Sequence, residues 1–140
     1  MIRNKILAIS LLAISSFMFY SCQESLDSRL LQNAQDFTKR YCPKQLDELV
    51  MLDSVVYFMP HEGIPGQYTY FHTVSGTEEE IRLLKEQENV AHDDILSKIN
   101  NTQDLKTLKE NGITIAYIFL SSKDGSTIFD FRYKKGEYKI

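Results

Sequence analysis

The chain has few of the residues on which several protein classes depend. Its 140 residues contain two cysteines, three prolines, six glycines and no tryptophan. Two cysteines cannot form the framework of a disulfide-stapled domain. Gly63 and Gly66 flank a proline and do not precede a helix, so the chain has no phosphate-binding loop. With 16 basic against 19 acidic residues, it also lacks the positive charge of a nucleic-acid-binding protein.

Histidine is scarce, and the three histidines are not placed to converge. A hairpin turning near Gly63 puts His61 in its loop and His72 more than about 20 Å away along one arm. His92 falls on a later helical segment. We therefore expect neither a metal site nor a bound cofactor.

The N-terminus carries the strongest targeting pattern in the sequence. Arg3 and Lys5 precede the uncharged run Ile6–Tyr20, as in a secretory signal. A helix of this length rises only about 22 Å, against a hydrocarbon core of roughly 30 Å. A permanent transmembrane anchor is therefore the weaker interpretation.

A cysteine follows this run directly. The segment Phe19-Tyr20-Ser21-Cys22 resembles the lipobox of bacterial lipoproteins, although Phe19 and Tyr20 depart from its usual Leu and Ser or Ala. The resemblance implies that Cys22 is acylated and anchors a small exported protein to a membrane of the cell envelope, on its periplasmic or its outer face. Ordinary cleavage after Ser15, with Ala13 two residues earlier, is the alternative.

The predicted domains are a signal peptide over 1–21, a tether over 22–26 and a single domain over 27–140. The signal carries two basic residues and no acidic one, so the mature chain has 14 basic and 19 acidic residues, a charge of −5. This charge favours solubility or a basic protein partner. A bridge from Cys22 to Cys42 is barely reachable past the first helix, and acylation of Cys22 excludes it.

Hydrophobic periodicity predicts the order helix, hairpin, helix, short helix, hairpin. A capping box of Thr77 and Glu80 opens the long middle helix, and Asp124-Gly125 turns the last hairpin. We expect an α+β fold of two layers, with a four-stranded antiparallel sheet and helices on one face, in the order α-ββ-αα-ββ. The predicted bounds are helix 27–42, strands 49–59 and 67–74, helices 77–100 and 102–111, and strands 113–121 and 129–133.

Aromatic residues crowd the first hairpin beside its Pro/Gly loop. Tyr57, Tyr68, Tyr70 and Phe71 are the candidate protein-binding surface, because exposed tyrosines on a rigid sheet are typical of interfaces. Alternatively, these side chains form the core and the cross-strand pairs of the sheet.

An enzymatic interpretation rests on three residues. Strand pairing allows a hydrogen bond between Asp53 and His72, which is half of a catalytic constellation. The nucleophile is missing unless Cys42 serves, and its place after a helix C-terminus raises a thiol pKa. We assign no catalytic residue, and a small hydrolase-like enzyme remains the alternative function.

A basic segment ends the chain, with Arg132, Lys134, Lys135 and Lys139. Its lysines either protect an edge strand from aggregation, which is the simpler interpretation, or contact anionic headgroups near the tether. The sequence as a whole predicts a non-enzymatic, membrane-tethered envelope lipoprotein that binds or inhibits a protein partner.

Overall fold

The computed structural model describes residues 25–140, so the predicted signal 1–21 and Cys22 lie outside the described residues. The described part contains a five-stranded sheet, four α-helices and one 3-10 helix. The elements in chain order are α1 (Leu26–Tyr41), β1 (Lys44–Gln45), β2 (Val50–Phe58), β3 (Gln67–Val74), α2 (Glu78–Glu86), α3 (Glu88–Asn101), the 3-10 helix (Gln103–Leu105), α4 (Lys106–Glu110), β4 (Thr114–Ser121) and β5 (Thr127–Tyr133).

The strands follow the chain across the sheet in the order β1-β2-β3-β4-β5. Both predicted hairpins are present, because β2 pairs antiparallel with β3 and β4 antiparallel with β5. The central pair, β3 and β4, is parallel, from Gln67 opposite Thr114 to Val74 opposite Ser121. The expected four-stranded antiparallel sheet is therefore wrong in two respects, whereas the α+β class is confirmed.

The parallel pair has a simple cause. After β3 ends, the helices of residues 75–113 carry the chain back along the sheet, so that β4 starts at the end where β3 started. The amide of Thr114 donates to the carbonyl of Gly66, just before β3. The missing strand of the prediction is β1, whose two residues pair with Met51 and Leu52 of β2.

One face of the sheet packs under the helices. Alternate side chains of β3, beginning with Tyr68, lie on this face, together with those that pair with them across β2, β4 and β5. They form one core with Leu30 and Ala34 of α1 and Ile99 of α3. The largest fully buried side chains on this side of the sheet are Tyr133, Ile99, Ile115 and Val74, whereas Thr69, which is equally buried, lies on the opposite face of β3.

Helix α1 also protects the edge of β2. Beyond the short β1, the outward backbone groups of Val55 have no strand beside them, and a buried unpaired backbone group costs about as much as a lost hydrogen bond. The hydroxyl of Thr38 accepts from the amide of Val55 at 2.8 Å and donates to its carbonyl at 2.9 Å. A helix side chain thus closes the edge of β2 beyond the short β1.

The long middle helix is confirmed at its start and corrected in its middle. Thr77 and Glu80 form the predicted capping box, which supplies partners to two unpaired amides of the first turn. The helix breaks at Gln87, whose φ of −100° and ψ of 22° leave the helical region, and α3 continues to Asn101. None of the described helices is both long and apolar enough to span a bilayer.

Candidate functional site

A groove of about 480 Å³ lies on the helix-covered side of the sheet. One wall is α1 from Leu26 to Asp36, the other is the 3-10 helix with α4, and Tyr68 and Tyr70 of β3 lie between them. Its volume is within the range of about 300–1,000 Å³ that is typical of ligand sites. The lining residues are Leu26, Arg29, Leu30, Gln32, Asn33, Asp36, Tyr68, Tyr70, Asp104, Leu105, Thr107 and Leu108.

The positions of the two walls are fixed by packing, because each wall segment has an apolar side that is buried in the core. In α1, Leu30 and Ala34 are buried, one turn apart, and Ser25 caps the helix by accepting from the amide of Ser28 at 3.2 Å. In the opposite wall Leu105 and Leu108 are buried. The polar sides of both segments are left to face each other across the groove.

The floor belongs to a continuous aromatic layer on the sheet. The rings of Tyr68 and Tyr70 lie 5.7 Å apart, and Tyr70 stacks on Tyr117 at 4.8 Å with only 15° between the ring planes. His72 continues the layer by stacking on Phe119 at 4.2 Å. A floor held by such neighbours on the strands is rigid, which lowers the entropic cost of binding against it.

The tyrosine hydroxyls of this layer are protonated at neutral pH, and burial moves their pKa values further up. Burial raises the pKa of Tyr68 and of Tyr70, and in Tyr70 the nearby Tyr117, Tyr68 and Asp104 add to the effect. Burial also raises the pKa of Tyr117 to about 12. The groove floor therefore presents neutral hydroxyls, each able to donate and to accept a hydrogen bond.

Three charged side chains line the groove. Arg29 and Asp36 come from α1, and Asp104 comes from the 3-10 helix on the opposite side. Two carboxylates and one guanidinium give a net charge of −1. The groove can thus take an apolar or aromatic side chain on its floor and a cation at its rim.

The four predicted aromatic residues separate in the structure. Tyr68 and Tyr70 line the groove. Tyr57 is buried, and its hydroxyl donates to Oδ1 of Asp27 at 2.5 Å, which ties the start of α1 to the end of β2. Phe71 points to the opposite face of the sheet, where it lines a hollow with Phe58.

Asp53 and His72 do not pair with each other. Asp53 is the extra residue at a β-bulge, and it accepts a hydrogen bond from the hydroxyl of Thr73. His72 is only 4% exposed, and its Nδ1 lies 3.2 Å from the carbonyl oxygen of Ile118. Burial lowers the pKa of His72, against the opposing effects of that carbonyl and of the Asp53 carboxylate.

Cys42 caps the C-terminus of α1 in an extended conformation, directly before Pro43. Burial, followed by the charge of Asp53, raises the pKa of its thiol, whereas Lys44 lowers it. Neither Cys42 nor His72 lines the groove. Within residues 25–140 no three His, Cys, Asp or Glu side chains are grouped as metal ligands.

Sequence reasoning missed the two walls of the groove. The polar side of α1 reads as an ordinary solvated helix face, and the residues of the other wall belong to a short helix with no distinctive pattern. Their proximity depends on the path of the chain over the sheet. The one available signal was compositional, because Tyr68 and Tyr70 are large aromatic residues on the same face of one strand.

A family model described as "Domain of unknown function (DUF8479)" matches residues 25–129. No curated protein sequence matches the chain. Two solved structures share the fold. The structure of a Pseudomonas aeruginosa protein described as a candidate secreted protein aligns with a TM-score of 0.62 at 14% identity and covers 82% of this chain and 98% of that one. The pilotin EpsS of the Vibrio vulnificus type 2 secretion system aligns with a TM-score of 0.52 at 9% identity, covering 82% and 93%.

Proposed function

The chain belongs to the DUF8479 family of domains of unknown function, and we propose that it is a non-enzymatic lipoprotein of the bacterial cell envelope. In this proposal Cys22 carries the lipid, and the groove between α1 and α4 binds a segment of a protein partner. The observation that carries the proposal is the groove itself, with a tyrosine floor between two polar walls.

The anchor is supported by the sequence and by the relatives. Cys22 closes an export-like segment and lies four residues before the start of α1 at Leu26. One protein with this fold is described as secreted and another is a secretion-system pilotin. At 14% and 9% identity these relatives share the fold, and their settings are the reason to propose an envelope location for this chain.

The chemistry of the groove defines the partner. Tyr68 and Tyr70 offer an apolar surface with neutral hydroxyls, which suits an apolar or aromatic side chain. Asp36 and Asp104 on the two walls suit a lysine or arginine. We therefore propose a basic segment with one apolar anchor as the ligand, in keeping with the acidic charge of the mature chain.

Site-specific photo-cross-linking in cells tests this assignment. A photoreactive residue replaces Thr107, which is exposed at the groove rim, and as the control it replaces Ser122, which is exposed in the turn between β4 and β5. We expect an adduct from position 107 and none from position 122, and the linked peptide should be basic.

Charge reversal in the same cells decides whether the groove is responsible. Asp36→Arg with Asp104→Arg should abolish the adduct, because a basic ligand is then repelled. Asp94→Arg, at an exposed position of α3 outside the groove, should retain it. An adduct that survives the double reversal, or one formed equally from position 122, would overturn the groove as the binding site.

A further inference from the structure

One end of the sheet, which we call the loop end, gathers four chain segments. There β2 runs into the loop 59–66, β3 and β4 begin, and β5 finishes. The start of α1 lies at the same end, because Asp27 accepts from the hydroxyl of Tyr57, next to the last residue of β2.

The loop end exposes large apolar side chains. Phe58 is 49%, Met59 47% and Ile64 67% exposed. A tight turn projects them, since Glu62 and Gly63 adopt positive φ of 47° and 80°, and the backbones of His61 and Ile64 bond each other on both sides of the turn. Contiguous exposed apolar side chains of this kind mark a contact with a protein or a membrane.

Basic residues lie at the same end of the sheet as these apolar side chains. Arg132 of β5 lines the same hollow as Phe58, Met59 and Ile64, although its guanidinium is paired with Asp130 at 2.9 Å. Lys134 and Lys135 follow β5 at the loop end and are exposed. Residues 132–140 carry four basic side chains and one acidic, Glu137, in a domain that is acidic overall.

The proposed anchor enters at this end and not elsewhere. Leu26 is the fourth residue after Cys22, so the Cα atoms of the two residues lie at most about 14 Å apart. A lipid on Cys22 therefore holds the start of α1, and the loop end with it, close to the bilayer surface. The opposite end of the sheet lies about 26 Å away along the nine residues of β2, and it carries the acidic start of α2, Glu78, Glu79 and Glu80.

We infer that the loop end is a membrane-contact surface, in which Phe58, Met59 and Ile64 enter the interface of a bilayer and Lys134 and Lys135 contact anionic headgroups. The inference rests on the proposed lipid anchor. Interfacial binding of proteins combines these two elements, a buried apolar area and attraction to anionic lipids. The contact fixes the orientation of the domain relative to the membrane.

The absence of tryptophan from the chain makes a direct test available. Ile64→Trp places a single fluorophore in the loop, and Leu46→Trp places one at the opposite end, at a site that is also exposed, at 50%. Each full-length lipidated variant is reconstituted into phosphatidylcholine–phosphatidylglycerol vesicles that contain brominated acyl chains. We expect a blue shift and loss of emission for Ile64→Trp and neither change for Leu46→Trp.

The charges are tested in the same assay. Lys134→Ser with Lys135→Ser, added to Ile64→Trp, should weaken the quenching in vesicles with phosphatidylglycerol. In vesicles of phosphatidylcholine alone, the two lysine substitutions should have a much smaller effect.

Three results would overturn the contact. The first is equal quenching of both tryptophan variants. The second is an absence of quenching of Ile64→Trp in protein that floats with the vesicles, a result that is still compatible with the lipid anchor. The third is a blue shift without quenching, which indicates a protein or a second copy as the occupant. If the wild-type chain takes up no fatty acid, the anchor itself fails; the variants are then added to vesicles from solution, where absence of quenching overturns the contact.

Discussion

His72 is the buried imidazole of the aromatic layer. It stacks on Phe119, lies 6.1 Å from the ring of Tyr117 and meets the carbonyl oxygen of Ile118. These contacts describe a ring that stiffens the sheet beneath the helices. They replace the hydrogen bond to Asp53 on which an acid–base role would depend, since that carboxylate bonds Thr73.

The lowered pKa of His72 makes the stability of the domain depend on pH. The pKa in the folded chain lies below its usual value of 6.5, so the unfolded chain takes up a proton that the folded chain refuses. The contribution of His72 to stability is therefore complete above about pH 6.5 and is lost progressively as the pH falls below it. Urea unfolding between pH 5 and 8 should show this loss in the wild type and a smaller one in His72→Phe, which keeps the stacked ring.

The matched control for this prediction is His61→Phe at an exposed site of the loop. Its free energy of unfolding should follow the wild-type pH dependence. Equal slopes for His72→Phe and the wild type would show that His72 does not cause the loss.

At the scale of elements, helix α1 contributes to the core, to the groove and to the closed edge of the sheet. Leu30 and Ala34 pack into the core, Asp36 faces the groove, and Thr38 closes the exposed edge of β2. A sheet edge with unpaired backbone groups is a template for aggregation. The position of α1 therefore protects the domain from aggregation and also forms one wall of the groove.

We predict that Thr38→Val destabilises the domain by about 1–3 kcal/mol, because both backbone groups of Val55 lose their partner while the side-chain shape is kept. Thr38→Ser retains the hydroxyl and should cost much less. Urea denaturation gives the two free energies, and light scattering should show greater aggregation of Thr38→Val. Equal losses for both variants would mean that packing of the threonine methyl group, and not its hydroxyl, holds the edge.

The elements were predictable where the signal is local. The capping box of Thr77 and Glu80, the strands of both hairpins and the end of α1 before Pro43 all follow from neighbouring residues. The break at Gln87 has no such mark, since no proline or glycine lies there. Ile81 and Leu84 before it, and Ala91, Ile95 and Leu96 after it, all pack against the core, so tertiary packing sets the break.

Pairing between distant segments was not predictable from periodicity. An alternating pattern places Tyr68 and Tyr70 on one face, but it does not say that β3 adjoins β4 or that the two run parallel. The two-residue β1 is too short to leave a pattern. For the same reason the sequence pointed to the floor of the groove and not to its walls, which meet only when the helices cross back over the sheet.

At the scale of the whole molecule, the two ends of the sheet carry different kinds of side chain. The loop end carries the start of α1, the exposed apolar side chains and the lysines that follow β5. The opposite end carries the glutamates at the start of α2. The groove lies along α1 between the two. An anchored domain with this arrangement would present a binding groove at a fixed height above a membrane.

The proposed position of the domain at a membrane depends on acylation of Cys22. Cells that express the full-length chain are grown with a clickable fatty-acid analogue, and the purified protein is analysed for label. We predict label on the wild type and on Cys42→Ser, the matched control at the other cysteine, and its loss in Cys22→Ser. An unlabelled wild type, or label that persists in Cys22→Ser, would contradict the account.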